Sequence, residues 1–331
     1  MPTTQVGLGV IINALQLACR APSVLNSQPW RWIVTDDSVD LFADPARLVR
    51  STDRTGRQAL ISCGAALHHL RVAMSAAGWD STVSRFPDPD EPLHLARLTF
   101  SSAASVSEQQ KRRADAILLR RTDRLPFAAP PDWDAFLDVV DAGAQPRGVR
   151  LSVLADEMRT ELAEASQLTE ALRHHDAAYH HEILLWTANF VTSDGIPHSA
   201  LVSAAESGRV DVASAFPLAT HPERRTEMAD DHSMIVVLST DDDSGESILR
   251  CGEALSALLL DATVAGLTTC TLTHVTEDPS GREVVASLIA NDAIPQVLVR
   301  IGRAPALDAT PPPTPRRPIE QVVEIRRSAT C

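Results

Sequence analysis

Residues 51–78, STDRTGRQALISCGAALHHLRVAMSAAG, lie without a gap on residues 239–266, STDDDSGESILRCGEALSALLLDATVAG. Ten of the 28 positions are identical, including Ser51-Thr52-Asp53 over Ser239-Thr240-Asp241 and Cys63-Gly64 over Cys251-Gly252. Each copy reads as a long apolar helix closed by a glycine, Gly78 or Gly266. Glycine takes the left-handed conformation past a helix C-terminus at no steric cost. A β-rich run follows each copy, Ser81–Arg85 and Thr268–Leu272. Each half later offers another strand, Leu93–Phe100 and Gln296–Gly302. The offset of 188 residues far exceeds the ~20–50-residue period of a solenoid. The repeat therefore predicts a duplicated α+β unit, its copies packed about a pseudo-two-fold axis like subunits of a symmetric dimer.

Outward from the repeat, the pattern predicts a helix over Val6–Arg20, a loop over Ala21–Pro29, and strands over Trp30–Thr35 and Val39–Ala43. A helix with one charged face spans Ser107–Leu119, and the proline-containing connector Arg120–Pro131 divides the chain into halves 1–119 and 120–331. The second half predicts helices over Asp132–Ala142, Asp156–His174, Ala177–Phe190 and Ser280–Ile289. It also predicts strands over Val149–Leu154 and Met234–Ser239. Thr192–His232 is of mixed polarity with weak periodicity, and an insertion of that length is often a lid or binding segment. The tail from Ala304 to Cys331 is extended by Pro311-Pro312-Pro313 and Pro315, yet carries Ile319, Val322, Val323 and Ile325. It is expected to wrap onto the body.

The 331 residues are 44% apolar and 22% charged, which fits a globular protein and excludes a mostly disordered one. The net charge of −13 argues against nucleic acid or an anionic membrane as partner. No apolar run approaches the ~20 residues of a membrane span. The first cation is Arg20, so no basic leader precedes the first apolar stretch, and a cytoplasmic location is expected. Five cysteines, with no C-x-x-C pair, predict buried reduced thiols rather than a disulfide framework or zinc site. Lys111 is the only lysine among 30 cations. Arginine's planar fork suits phosphate, so clusters of it are candidate anion sites.

Three stretches could carry chemistry. Ala21-Pro22-Ser23-Val24-Leu25-Asn26-Ser27-Gln28-Pro29-Trp30 is rich in hydroxyl and amide groups, and reads either as a turn or as a loop that bonds a planar polar ligand. Arg120-Arg121-Thr122-Asp123-Arg124 reads as a solvated charged run or as an anion site built on Arg120, Thr122 and Arg124. Arg316-Arg317 and Arg326-Arg327 flank the apolar part of the tail, with the same two readings. His174-His175-Asp176-Ala177-Ala178-Tyr179-His180-His181-Glu182 lacks the i,i+4 histidine pair of a helical metal site and reads as a polar helix face. Neither a Gly-x-Gly-x-x-Gly fingerprint nor a P-loop is present, so no separate dinucleotide domain is indicated.

Taken together, these motifs resemble the nitroreductase family. Ala-Pro-Ser-x-x-Asn-x-Gln-Pro-Trp is similar to its flavin-contacting loop, Arg-Arg-Thr-x-Arg to its phosphate and flavin motif, and Gly302…Thr314-Pro315-Arg316-Arg317-Pro318-Ile319-Glu320 to its C-terminal arginine segment. The twin-half layout, with Asp194-Gly195-Ile196-Pro197 in the insertion, looks most like the Acg type, found among mycobacterial dormancy-associated proteins. The resemblance implies FMN as cofactor and two-electron transfer from NAD(P)H to a small nitro or quinone acceptor, with no catalytic side-chain nucleophile. It implies that Arg120, Arg316 and Arg317 hold the phosphate and that Arg124, with Thr122 in the same motif, lies near the pyrimidine edge of the ring. Ser23, Asn26 and Gln28 would meet the ribityl chain and ring edge, with Pro29 and Trp30 completing the loop. Thr273-His274 stands where the family has a glycine-rich pair near the redox-active nitrogen. Family homodimers build two sites from paired subunits. Here only the first half has the loop and only the second has both arginine segments, which implies one FMN in a self-sufficient monomer. Storage of FMN with little turnover is the alternative, and a flavin-free interaction module a third reading.

Overall fold

A computed structural model describes residues 5–142, 148–188, 193–289, 292–305, 307 and 312–326. The first half comprises α1 (Leu8–Ala18), β1 (Trp30–Val34), β2 (Val39–Ala43), α2 (Arg57–Ala76), β3 (Trp79–Arg85), β4 (His94–Ser102) and α3 (Glu108–Leu119). The second comprises α4 (Trp133–Ala142), β5 (Val149–Val153), α5 (Arg159–Arg173), α6 (Ala177–Trp186), α7 (Ala204–Ser207) and β6 (Met234–Thr240). It continues through α8 (Gly245–Val264), β7 (Thr268–Leu272), α9 (His274–Glu277), α10 (Pro279–Leu288), β8 (Ile294–Gly302) and β9 (Val323–Ile325). The architecture is α+β: two mostly antiparallel sheets, ordered β3-β4-β2-β1-β9 and β5-β6-β8-β7, flank a helical centre.

That centre is the repeat. Helices α2 and α8 are both 20 residues long, and Gly78 and Gly266 follow them at φ of +85° and +72°. They cross at Gly64 and Gly252. A Cβ on Gly64 would lie 2.1 Å from the Leu249 carbonyl oxygen, and a Cβ on Gly252 2.1 Å from that of Ile61. Leu249 is Ile61 shifted by 188, so each helix meets the other through equivalent atoms. Only glycine at both positions lets the backbones approach this closely. On either side of the crossing, Trp30, Leu67 and Leu70 pack into one core and Val236, Leu255 and Val297 into another.

The tail wraps as expected, but onto the first half. Trp32 N donates to the Val322 oxygen at 2.7 Å, and β9 runs parallel to β1 as the edge of its sheet. Pro295 sits inside β8, although proline breaks a ladder. A register shift between Leu238 and Ser239 in β6 accommodates it. The insertion is not structureless. Ser203 and Glu206 form a capping box on α7, and Arg224 binds the buried Glu206 carboxylate at 2.9 Å. The end of the Ala177–Phe190 helix, the start of the insertion at Thr192, Pro311, Arg327 and Cys331 lie outside the described residues. The other four cysteines are buried and unpaired. Among the described residues no helix is long and apolar enough to cross a membrane, and no three His, Cys, Asp or Glu side chains gather as a metal site.

Candidate functional site

One cavity of about 200 Å³ is walled by the loop after α1, the first turns of α2, the connector after α3, α6, the insertion, the β7–α9 turn and the tail. Ser23, Asn26, Arg120, Thr122, Arg124, Thr273 and Arg316 all line it. Three segments separated by about 100 and 200 residues thus converge, as the combined motifs implied.

The loop is held in an unusual shape. Leu25, Asn26 and Gln28 have φ of +48°, +55° and +51°. Non-glycine residues in this region cost roughly 1–2 kcal/mol each and persist only where the surroundings over-determine them. The determinants are visible. Ser23 Oγ accepts from Gln28 N at 3.0 Å, and Ser62 Oγ from Val24 N at 3.1 Å. The Asn26 amide donates to the Gly195 oxygen at 2.8 Å and the Pro315 oxygen at 3.1 Å, fastening the insertion and the tail to the loop.

Gln28, Pro29, Trp30 and Arg317 do not line the cavity. The buried Gln28 side chain accepts from Arg317 N at 2.9 Å and donates to the Ser193 oxygen at 3.1 Å, so it organises the loop, tail and insertion from behind. The Pro29 oxygen accepts from Asp44 N at 3.0 Å, and Trp30 lies fully buried in β1. Arg317 turns to Asp44, 3.6 Å away, and to the Gln321 oxygen.

Three arginines gather at one part of the cavity: Arg120, Arg316 and Arg20, the last absent from the sequence-based set. The Nε atom of each is buried without a hydrogen-bond partner. Burial, reinforced by Arg20, lowers the Arg120 guanidinium to about 10. Burial, reinforced by Arg120 and Arg20, lowers Arg316 to about 9. No carboxylate is among the charges acting on either. Arg316 is held in place by the Pro315 and Arg20 carbonyls, at 2.9 and 3.0 Å. Buried like charges without a counter-charge are costly, and an anion of high charge removes that cost. Arg20 follows the last residues of α1 in sequence, where neither spacing nor a second cation marks it.

Elsewhere in the cavity, Arg124 lies over the Phe216 ring at 4.9 Å. The backbone near Thr122 is pinned by its parallel bridge to Thr269. Thr273 Oγ1 is 2.8 Å from Gln58 Oε1. His274 is buried, its ring nitrogens 2.7 Å from Ser166 Oγ and 2.9 Å from Ser214 Oγ, and burial lowers it to about 3, so the ring is neutral. Glu277 and Tyr179, the only tyrosine in the chain, also line the cavity and were not singled out from sequence as binding residues.

No family model matches the chain. It is 56% identical over 326 residues to the Mycobacterium tuberculosis protein named "Putative NAD(P)H nitroreductase acg", covering 98% of both chains. A second M. tuberculosis protein, Rv3127, is 48% identical over 96% of this chain and 93% of its own. Among solved structures, the FMN and NADPH-dependent nitroreductase NfnB of a Sphigopyxis strain aligns with a TM-score of 0.41 and 14% identity, over 64% of this chain and 97% of its own. At 56% identity across essentially the whole length, the chain belongs to the Acg type of the nitroreductase family.

Proposed function

We propose that the chain is an FMN-dependent oxidoreductase of nitroreductase type, passing two electrons from NAD(P)H to a small nitro or quinone acceptor. The observation that carries the reading is the trio Arg20, Arg120 and Arg316. Three neighbouring arginines with buried, unpartnered Nε atoms, two of them with no carboxylate acting on them, suit a phosphate dianion. FMN fits the remaining chemistry. Ser23 and Asn26 offer polar groups along the wall, Arg124 a cation, and the β7–α9 turn a backbone edge. When bound, the flavin supplies hydride chemistry, while the protein supplies position and electrostatics. Arg120, Arg316 and Arg20 would neutralise the phosphate, and Arg124 would favour negative charge on a ring beside it.

The two halves, 1–119 and 120–331, contribute different parts of the site, so one chain would hold one FMN without a partner subunit. One observation favours storage as a second reading. The insertion forms one wall and is fastened there by Arg47 to Asp194, by Asn26 to Gly195 and by Ser214 to His274. Anaerobic titration separates the readings: purified protein is loaded with FMN, and NAD(P)H is added without oxygen. Bleaching of the flavin supports the reductase, and a flavin that stays oxidised supports storage. Failure to bind FMN refutes both.

A further inference from the structure

The cavity is rich in arginine, yet Glu277 supplies the one carboxyl group among its described lining residues. His274, Tyr179 and Cys270 are the other lining groups that exchange protons in proteins, and burial holds the Cys270 thiol above its ordinary value. Both His274 nitrogens are committed to serine hydroxyls, and burial keeps the ring neutral. Burial pushes the Tyr179 phenol up, away from the neutral range.

Glu277 differs from all three. Its Oε1 accepts from Gln58 Nε2 and lies 3.0 Å from Thr273 Oγ1, which in turn lies 2.8 Å from Gln58 Oε1. Thr273 has one hydroxyl proton and two oxygen acceptors facing it. The ring of three groups is therefore one proton short while Glu277 is ionised, and a proton on Glu277 completes it. On its other side, Glu277 Oε2 meets the Arg173 guanidinium, which stabilises the carboxylate. Burial favours the acid and Arg173 the anion. Burial dominates and raises the Glu277 carboxyl above its ordinary value, which favours the protonated form a general acid needs. The charged groups facing it are Arg173 and Glu170 from α5, Tyr179 from α6 and Arg57 from α2. The two arginines favour ionisation and Glu170 opposes it.

We propose that Glu277 is the proton-exchanging group of the cavity, giving its carboxyl proton to the oxygen anion of a quinone that has just taken up a hydride. The inference rests on the flavin reading above. Two electrons and one hydrogen reach the quinone as hydride from the reduced cofactor. The Glu277 O–H bond then breaks, an O–H bond forms on the quinol, and Arg173 pairs with the carboxylate until water returns a proton.

The test uses the full chain and E277Q, E277D and R173Q. In protein without added ligand, infrared difference spectra across a pH titration should show the carbonyl stretch of a protonated carboxyl, absent from E277Q. In FMN-loaded protein, E277Q should bind flavin but reduce a soluble benzoquinone about 10²–10⁴-fold more slowly. E277D should recover part of the loss, and R173Q should move the basic limb of the pH profile upward. An undiminished E277Q rate with an unchanged pH profile overturns the proposal, as does a wild-type spectrum without the band. Should E277Q fail to fold, the R173Q shift decides: a basic limb that stays in place refutes the role. If FMN does not bind, the flavin reading fails, and the infrared titration alone decides whether Glu277 exchanges a proton near neutrality.

Discussion

Arg120→Met separates a phosphate site from a structural cluster by the sign of its effect. Arg120 is 8% exposed, and burial and Arg20 lower its guanidinium from 12.5 to about 10. At roughly 1.4 kcal/mol per unit, the cavity disfavours its charge by ~3 kcal/mol. Methionine keeps most of the aliphatic stem and removes the charge. Without an anion the variant should be at least as stable as the parent, by up to ~3 kcal/mol. With an anion the sign reverses. A charge-assisted hydrogen bond contributes ~1.5–3 kcal/mol, so FMN affinity should fall roughly 10–200-fold, while riboflavin, which lacks the phosphate, should bind as before. The assay is urea unfolding in phosphate-free buffer and again with inorganic phosphate, with fluorescence titrations of both flavins. Phosphate should stabilise the parent by mass action and the variant much less. A variant less stable than the parent without phosphate, yet equally stabilised by it, would show that Arg120 is structural and the anion binds elsewhere.

Gly64→Ala should destabilise at or above the upper end of the ~1–3 kcal/mol of core overpacking, because its Cβ would meet the Leu249 carbonyl at 2.1 Å; a denaturation midpoint equal to wild type refutes the close crossing. Gln28→Ala removes the buried amide that joins tail to insertion, at ~1–3 kcal/mol, and should speed hydrogen exchange at the Arg317 amide, which donates to the Gln28 side chain. Burial raises the Glu206 carboxyl, but Arg224 and two backbone N–H groups outweigh it and hold it down to about 2. Because this folded value lies below the ordinary 4.5, the contribution of ~3 kcal/mol is complete above pH ~4.5 and fades as pH falls toward 2. Hydrogen exchange in 193–233 should accelerate across that window, and E206Q should remove the dependence.

What was legible in the sequence follows from how local each cause is. Helix ends marked by glycine and strands of alternating or β-branched residues were readable, and β2 and β7 match to the residue. The packing of Gly64 on Gly252 was foreshadowed by their equivalence, although only three dimensions supply the contact. Ser23, Asn26, Arg120, Thr122, Arg124, Thr273 and Arg316 meet in one cavity because each sits at the end of an element whose place the fold dictates. Gln28 and Arg317 bear motif-like identities, yet their side chains serve the loop's backbone. A motif records a residue type without recording which way it faces. Arg20 was invisible for the opposite reason: its role comes from Arg120 and Arg316, far along the chain, and from nothing beside it. The insertion's order likewise comes from remote partners such as Arg47 and Asp194.

The repeat also bears on why one phosphate site is proposed rather than two. Under the 188-residue shift, the cavity residues Gln58, Ile61 and Ser62 correspond to Glu246, Leu249 and Arg250. Glu246 and Arg250 pair with each other one turn apart on α8, and Leu249 is fully buried. The counterpart of Arg57 is Gly245, and a Cβ there would lie 3.0 Å from the Phe86 ring. Phe86, at φ of +44°, thus occupies the space an arginine side chain would need. Arg71 and Arg85 share the buried Glu253 carboxylate, at 2.8 and 2.6 Å, so the pseudo-equivalent position has, among the described residues, no cation cluster without a carboxylate to match Arg20, Arg120 and Arg316. Calorimetric titration with FMN should therefore give one site per chain. Phe86→Ala should open space beside Gly245 and lower stability without adding a second site, because volume alone does not bind a phosphate. A stoichiometry of two in either protein would refute the argument that paired charge, rather than bulk, closes the second position.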